Sequence, residues 1–92
     1  MYAIFQIQRA SIADPRHLLI EGEVLRGEIE PGERFFLRRK RFIVDNILVG
    51  HKTGVLKVGP SSRCVLILRS TVPDSITPEL VRFIHGQVIQ AV

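Results

Sequence analysis

Arg38-Arg39-Lys40-Arg41 is the densest run of charge in this chain of 92 residues. Such side chains neutralise phosphates and release the counterions that surround a polyanion, so binding through them weakens with salt. Phe35, Phe36 and Phe42 flank the tetrad. An exposed phenylalanine among them would offer a face to an unpaired base, worth about 1–3 kcal/mol. Lys52, Lys57 and Arg63 follow and serve, on this reading, as secondary phosphate contacts. The tetrad equally fits a solvated hairpin tip, whose charges keep sheet edges from pairing while the phenylalanines enter the core.

No other set of residues assembles a reaction. His17, His51 and His85 are far apart in three different connections, and no Cys/His/Asp/Glu spacing matches a metal site. Cys64 sits in the most apolar stretch, Cys64-Val65-Leu66-Ile67-Leu68, where a buried thiol is inert. Ser61 and Ser62 lack the strand-to-helix elbow of a G-x-S-x-G nucleophile. The carboxylates of residues 21–33 alternate with apolar residues, the pattern of a solvated strand face. With no acid, base and nucleophile converging, the sequence predicts no enzyme, no catalytic residue, no metal and no cofactor.

Composition bounds the rest. A chain of 92 residues, 46% hydrophobic and 24% charged, builds a single domain over residues 1–92 with one core. No apolar run reaches the ~18–20 residues that span a membrane. Met1–Gln8 has neither a basic leader nor a small-residue cleavage site, so no signal peptide is expected. One cysteine cannot form an intrachain disulfide, which fits a reducing cytoplasm. The net charge of +4 is unevenly spread. Residues 21–33 carry five glutamates against Arg26, while residues 34–69 carry nine basic residues against Asp45. If the second segment folds onto one surface, its field attracts polyanions.

The elements that must position these groups are short strands. Ala3–Gln8 alternates as a half-buried strand, and Ser11–His17, with Asp14-Pro15, reads as a loop. Leu18–Arg26 is a second strand and Gly27 a kink. Glu28–Glu30 is a short third strand, ended by a Pro31-Gly32 turn of type II. Arg34–Arg38 and Phe42–Val49 pair around the tetrad as their tip. Gly50–Gly54 is a loop, Val55–Val58 an extended piece and Gly59–Ser62 a turn. Arg63–Arg69 is a strand buried on both faces. Thr77 as N-cap, Pro78 at the first helical position and Glu79 in the first turn predict one or two helical turns up to Ile84, stopped at Gly86. Gln87–Val92 is the closing strand. Phe83 and Ile84 either cover the barrel end or contact a protein partner. The fold class is all-β, a small closed antiparallel barrel of six to seven strands with one short helical turn near the C-terminus.

The order of features resembles domain II of the translational GTPases, the β-barrel that follows the G domain in elongation factor Tu and its relatives. The resemblance is carried by Phe5-Gln6-Ile7 and Leu19-Ile20-Glu21-Gly22-Glu23-Val24. It continues through Gly27-Glu28-Ile29-Glu30-Pro31-Gly32-Glu33-Arg34-Phe35, similar to that family's G-x-(I/V)-x-x-G-(D/E)-x-(V/F) signature. Val44-Asp45-Asn46-Ile47, Arg63–Arg69 and Ile84-His85-Gly86-Gln87-Val88-Ile89 complete it, the last being similar to a closing (R/K)-G-Q-V-L. The chain departs from the family in three places. There is no G-x-x-x-x-G-K-[ST] phosphate loop, so no nucleotide is expected. Arg9-Ala10-Ser11 stands where elongation factor Tu has acidic and aromatic residues for the aminoacyl end of transfer RNA. Gly59-Pro60-Ser61-Ser62 replaces the family's Ala-Gly. The resemblance implies a cytoplasmic, non-catalytic binding module that docks on structured RNA, the ribosome or a translation factor. A protein–protein adaptor or self-associating barrel, using Phe83, Ile84 and an exposed sheet edge, is the other expectation.

Overall fold

The computed structural model describes residues 2–72 and 74–92. Met1, which opens the stretch read as lacking a leader, lies outside them. Six strands and one helix follow in the order β1 (Ile4–Asp14), β2 (His17–Arg26), β3 (Arg34–Leu37), β4 (Lys40–Leu48), β5 (Arg63–Ser70), α1 (Pro78–Ile84) and β6 (Val88–Gln90). They form one antiparallel sheet in the order β3-β4-β5-β2-β1-β6. The sheet curls until its outer strands meet. Phe35 bridges Ala91, and the Val92 N–H donates to the Arg34 carbonyl at 2.8 Å. The result is a nearly closed barrel of six strands with a short helix near its C-terminal end, the architecture expected as a closed barrel of six to seven strands.

Period-two alternation explains which residues fill it. Leu18, Ile20 and Val24 of β2, Phe35 and Leu37 of β3, and Phe42 and Val44 of β4 all point inward and are buried. Phe5, Phe35 and Phe42 are the largest side chains fully removed from water. In β5 the inward Cys64, Leu66 and Leu68 are buried, whereas Val65 and Ile67 on the other face are only half-buried. The apolar run therefore lies on a barrel wall, not in a sheet covered on both sides.

Two glycines allow the wall to bend. A Cβ built on Gly22 would lie 1.9 Å from the Gln6 carbonyl oxygen, so β1 crosses β2 at backbone contact. The β1–β2 register shifts just beyond, between Ile7 and Arg9, the irregularity that lets a paired strand bend. Gly27 ends β2 with φ +75, and a Cβ there would meet the Ala3 Cα at 2.9 Å. This is the predicted kink.

Three expectations change in detail. The loop expected over Ser11–His17 is a strand extension closed by a two-residue turn, with Asp14 paired to His17. The Arg16 N–H donates to Asp14 Oδ1 at 2.8 Å, a local bond that an Asp before proline is placed to accept. Residues Ser11–Arg16 are exposed on both faces, so no alternation announced the strand. The third strand at Glu28–Glu30 is reduced to a single bridge between Ile29 and Val58. The tetrad is not wholly a tip either: only Arg38 and Arg39 turn, while Lys40 and Arg41 open β4.

The helix forms where the sequence places it. The Leu80 N–H donates to Thr77 Oγ1 at 3.1 Å, Pro78 occupies the first turn, and Leu80 and Ile84 are buried against the barrel.

Because the obstacle at Gly22 is backbone, no rotamer relieves it. Gly22→Ala is expected to cost at least about 3 kcal/mol, the upper end of overpacking penalties. Urea unfolding should show this as a lower midpoint at unchanged slope.

Candidate nucleic-acid interface

β3 and β4 are joined by the tightest possible hairpin. Leu37 pairs with Lys40, leaving Arg38 and Arg39 as a two-residue turn. Both arginines have positive φ, 52 and 68. That is the geometry of a type I′ turn, which matches strand twist and favours Asn-Gly. A side chain in the left-handed region costs about 1–2 kcal/mol per residue. The arginines hold positions where local chemistry prefers other residues.

Their surroundings are aromatic. The Arg38 guanidinium lies over the Phe83 ring of α1, 4.6 Å from its centroid. Arg41 lies 5.4 Å from the centroid of Phe36, its cross-strand partner in the β3–β4 ladder. Phe36 and Phe83 point outward, 46% and 49% exposed, whereas Phe35 and Phe42 are buried. The alternation of β3 settles which phenylalanine faces solvent: Phe36 is out because Phe35 and Leu37 are in. Among the described residues, none of Arg38, Arg39, Lys40 and Arg41 makes an ion pair with a carboxylate. Lys40 Nζ instead donates to the Ser75 carbonyl at 3.3 Å.

Two clefts flank Arg38. One, of about 300 Å³, is lined by Arg38, Lys40, Thr77, Glu79 and Leu80. The other, also about 300 Å³, runs between β3, α1 and β6 and is lined by Phe36, Arg38, Phe83, Val88 and Gln90 among others.

The remaining sequence-predicted contacts are elsewhere. Lys52 lies past the Leu48 end of β4, in a turn where Val49 and Lys52 exchange backbone hydrogen bonds at 3.0 Å. Arg63 starts β5 at that same end, opposite Glu23. Lys57 Nζ lies 3.9 Å from Glu28 Oε1 and 3.8 Å from Glu30 Oε1, facing the acidic segment. The basic residues therefore form no single face: the tetrad holds one end of β4, and Lys52 and Arg63 the other. Ile84, expected beside Phe83 as a protein contact, is 1% exposed and belongs to the core. Its place on the inward side of α1, one residue after the outward Phe83, accounts for the difference.

Two other groups have settled structural surroundings. His17 sets its Nδ1 2.9 Å from both Asp14 carboxylate oxygens and its Nε2 3.3 Å from Asp45 Oδ2. The Arg16 N–H and the His17 ring hold the Asp14 carboxyl below its ordinary pKa. Burial pushes the Cys64 thiol up to about 11, which keeps it protonated and unreactive at neutral pH. Among the described residues no three His, Cys, Asp or Glu side chains are grouped to hold a metal ion.

The barrel is similar to part of a solved translation factor. It matches the crystal structure of translation elongation factor SelB from Methanococcus maripaludis in its apo form, with a TM-score of 0.76 over 99% of this chain. The fold is that of a translation-factor β-barrel. Sequence identity over the match is 13%, and the chain spans 19% of that protein's length. The sequence matches no protein-family model and no curated relative. The architecture expected from the resemblance to domain II is thus the one found, at a level of identity that speaks for the fold alone.

The left-handed arginines give a stability test. Replacing the turn with its preferred residues, Arg38→Asn with Arg39→Gly, is expected to raise stability by about 1–2 kcal/mol. A higher Tm in calorimetry checks this, and a lower one would mean that the Arg38–Phe83 contact outweighs the backbone cost.

Proposed function

We propose that this barrel is a non-catalytic, cytoplasmic binding module of the translation apparatus that docks on RNA, including RNA of the ribosome. Arg38, Arg39, Lys40 and Arg41 are its main phosphate contacts. The observation that carries this reading is the β3–β4 turn. Two arginines occupy left-handed positions at a cost to the fold, with no carboxylate partner among the described residues, beside two half-exposed phenylalanines. Backbone strain of this kind collects at functional sites. Unpaired cations beside aromatic faces are the chemistry of nucleic-acid binding. The likeness to a translation elongation factor supplies the setting, as an analogy of fold.

Lys52 and Arg63 lie too far from the turn to share one compact RNA contact with it, and Lys57 faces glutamates. On this reading they are peripheral. No helix among the described residues is long and apolar enough to cross a membrane. A protein-docking role has one observation in its favour, the exposure of Phe83 and Val88 along a single groove.

Four phosphate contacts imply a log–log salt slope of about −3 to −4, so affinity for RNA should fall roughly 50- to 150-fold between 50 and 200 mM salt. Changing Arg38, Arg39, Lys40 and Arg41 to glutamine should flatten that slope. In a density gradient of cell lysate, the tagged protein should migrate with ribosomal fractions and leave them after ribonuclease treatment. Sedimentation as a small free species in both samples would rule out ribosome docking. Salt-independent binding to a partner would favour the protein-docking role.

A further inference from the structure

The groove between β3, α1 and β6 is more than the rim of a basic patch. Phe36 of β3 and Phe83 of α1 both line it together with Arg38 and Val88, and Gln87 and Gln90 add amide donors and acceptors. Each ring is covered by a guanidinium, Phe83 by Arg38 and Phe36 by Arg41. We infer that this groove is a stacking site for the unpaired bases of a single-stranded RNA segment, whose phosphates Arg38 and Arg41 meet. The inference rests on the RNA reading above and narrows it to the class of RNA bound.

Three observations select this occupant. First, the groove's volume of about 300 Å³ is at the small end of ligand sites, which run from ~300 to ~1,000 Å³. It admits a splayed base, whereas the bases of a duplex are stacked on one another and out of reach. Second, no carboxylate lines the groove, so its cationic rim complements a phosphate chain. A second copy of this chain docking through the same groove would bring one cationic rim against another, because a two-fold contact apposes the same patch of both copies. Third, the two rings sit beside guanidinium planes, and bases stack on both kinds of surface. In the free protein the arginines shield the rings. On binding, they turn their N–H edges to phosphate while the rings receive bases.

An eight-nucleotide RNA with 2-aminopurine near its centre, free or annealed to its complement, tests this against the full chain. The unaltered protein should quench 2-aminopurine and bind the single strand more tightly than the duplex. Phe36→Ala and Phe83→Ala should each weaken single-strand binding about 5- to 150-fold and leave the weaker duplex binding unchanged. Phe36→Tyr and Phe83→Tyr should retain binding, since a phenol ring stacks as well. Both positions are half-exposed, and thermal melts establish that each variant is folded. If folded alanine variants bind the single strand like the unaltered protein while glutamine at Arg38 and Arg41 abolishes binding, the stacking site is wrong and the phosphate reading stands. If the unaltered protein binds neither RNA, both fall.

Discussion

Everything in this barrel depends on how closely β1 can approach β2. The Gln6 carbonyl oxygen occupies the space that a Cβ on Gly22 would need, and Ala3 sits against Gly27 in the same way. β1 bends at this close approach and carries β6 on its other edge through Ile4, Phe5 and Gln6. Ala91 reaches both Ala3 and Phe35, and the first and last strands of the sheet are joined. Closure decides which residues face in. Phe35, Leu37 and Phe42 then belong to the core, so Phe36 and Arg41 must face out, side by side. The outer chemistry at residues 36–41 thus follows from which face of β3 and β4 the closed barrel buries.

The same closure places α1. Its buried Leu80 and Ile84 cap the barrel, which leaves Phe83 on the solvent side, under Arg38. A seven-residue helix is too short to be stable alone, so its position is set by those two buried side chains and by the Thr77 cap. The aromatic–arginine end therefore comes from three elements, none of which builds it alone. The β3–β4 turn brings the cations, α1 one ring and β3 the other. The turn gives up some stability in doing so, since Arg38 and Arg39 both sit at positive φ.

Much of the architecture was readable from residue types. Thr77-Pro78-Glu79 specifies a helix start, Pro31-Gly32 a turn, Gly27 a kink and the alternation of Ala3–Gln8 a half-buried strand, and each is found. What was not readable depended on pairing. The extension of β1 to Asp14 is exposed on both faces and so carries no period. The strand expected at Glu28–Glu30 has the right pattern but a partner at only one residue, Ile29. Whether the basic residues converge could not follow from sequence, because Lys52 and Arg63 are separated from the tetrad by the length of β4. Phe83 and Ile84 were read as a pair, and the helix leaves the first exposed and buries the second. The phenylalanines flanking the tetrad were visible in the sequence, but strand phase decided that Phe36 alone among them would be exposed.

The account makes one end of the barrel the binding end, and backbone amide chemical shifts report this residue by residue. A titration of the isotope-labelled protein with a short unpaired RNA should move the signals of residues 36–41 and 82–90. Those of Lys52, Lys57 and Arg63 should stay in place. Shifts centred on residues 50–63, or none anywhere at saturating RNA, would contradict it.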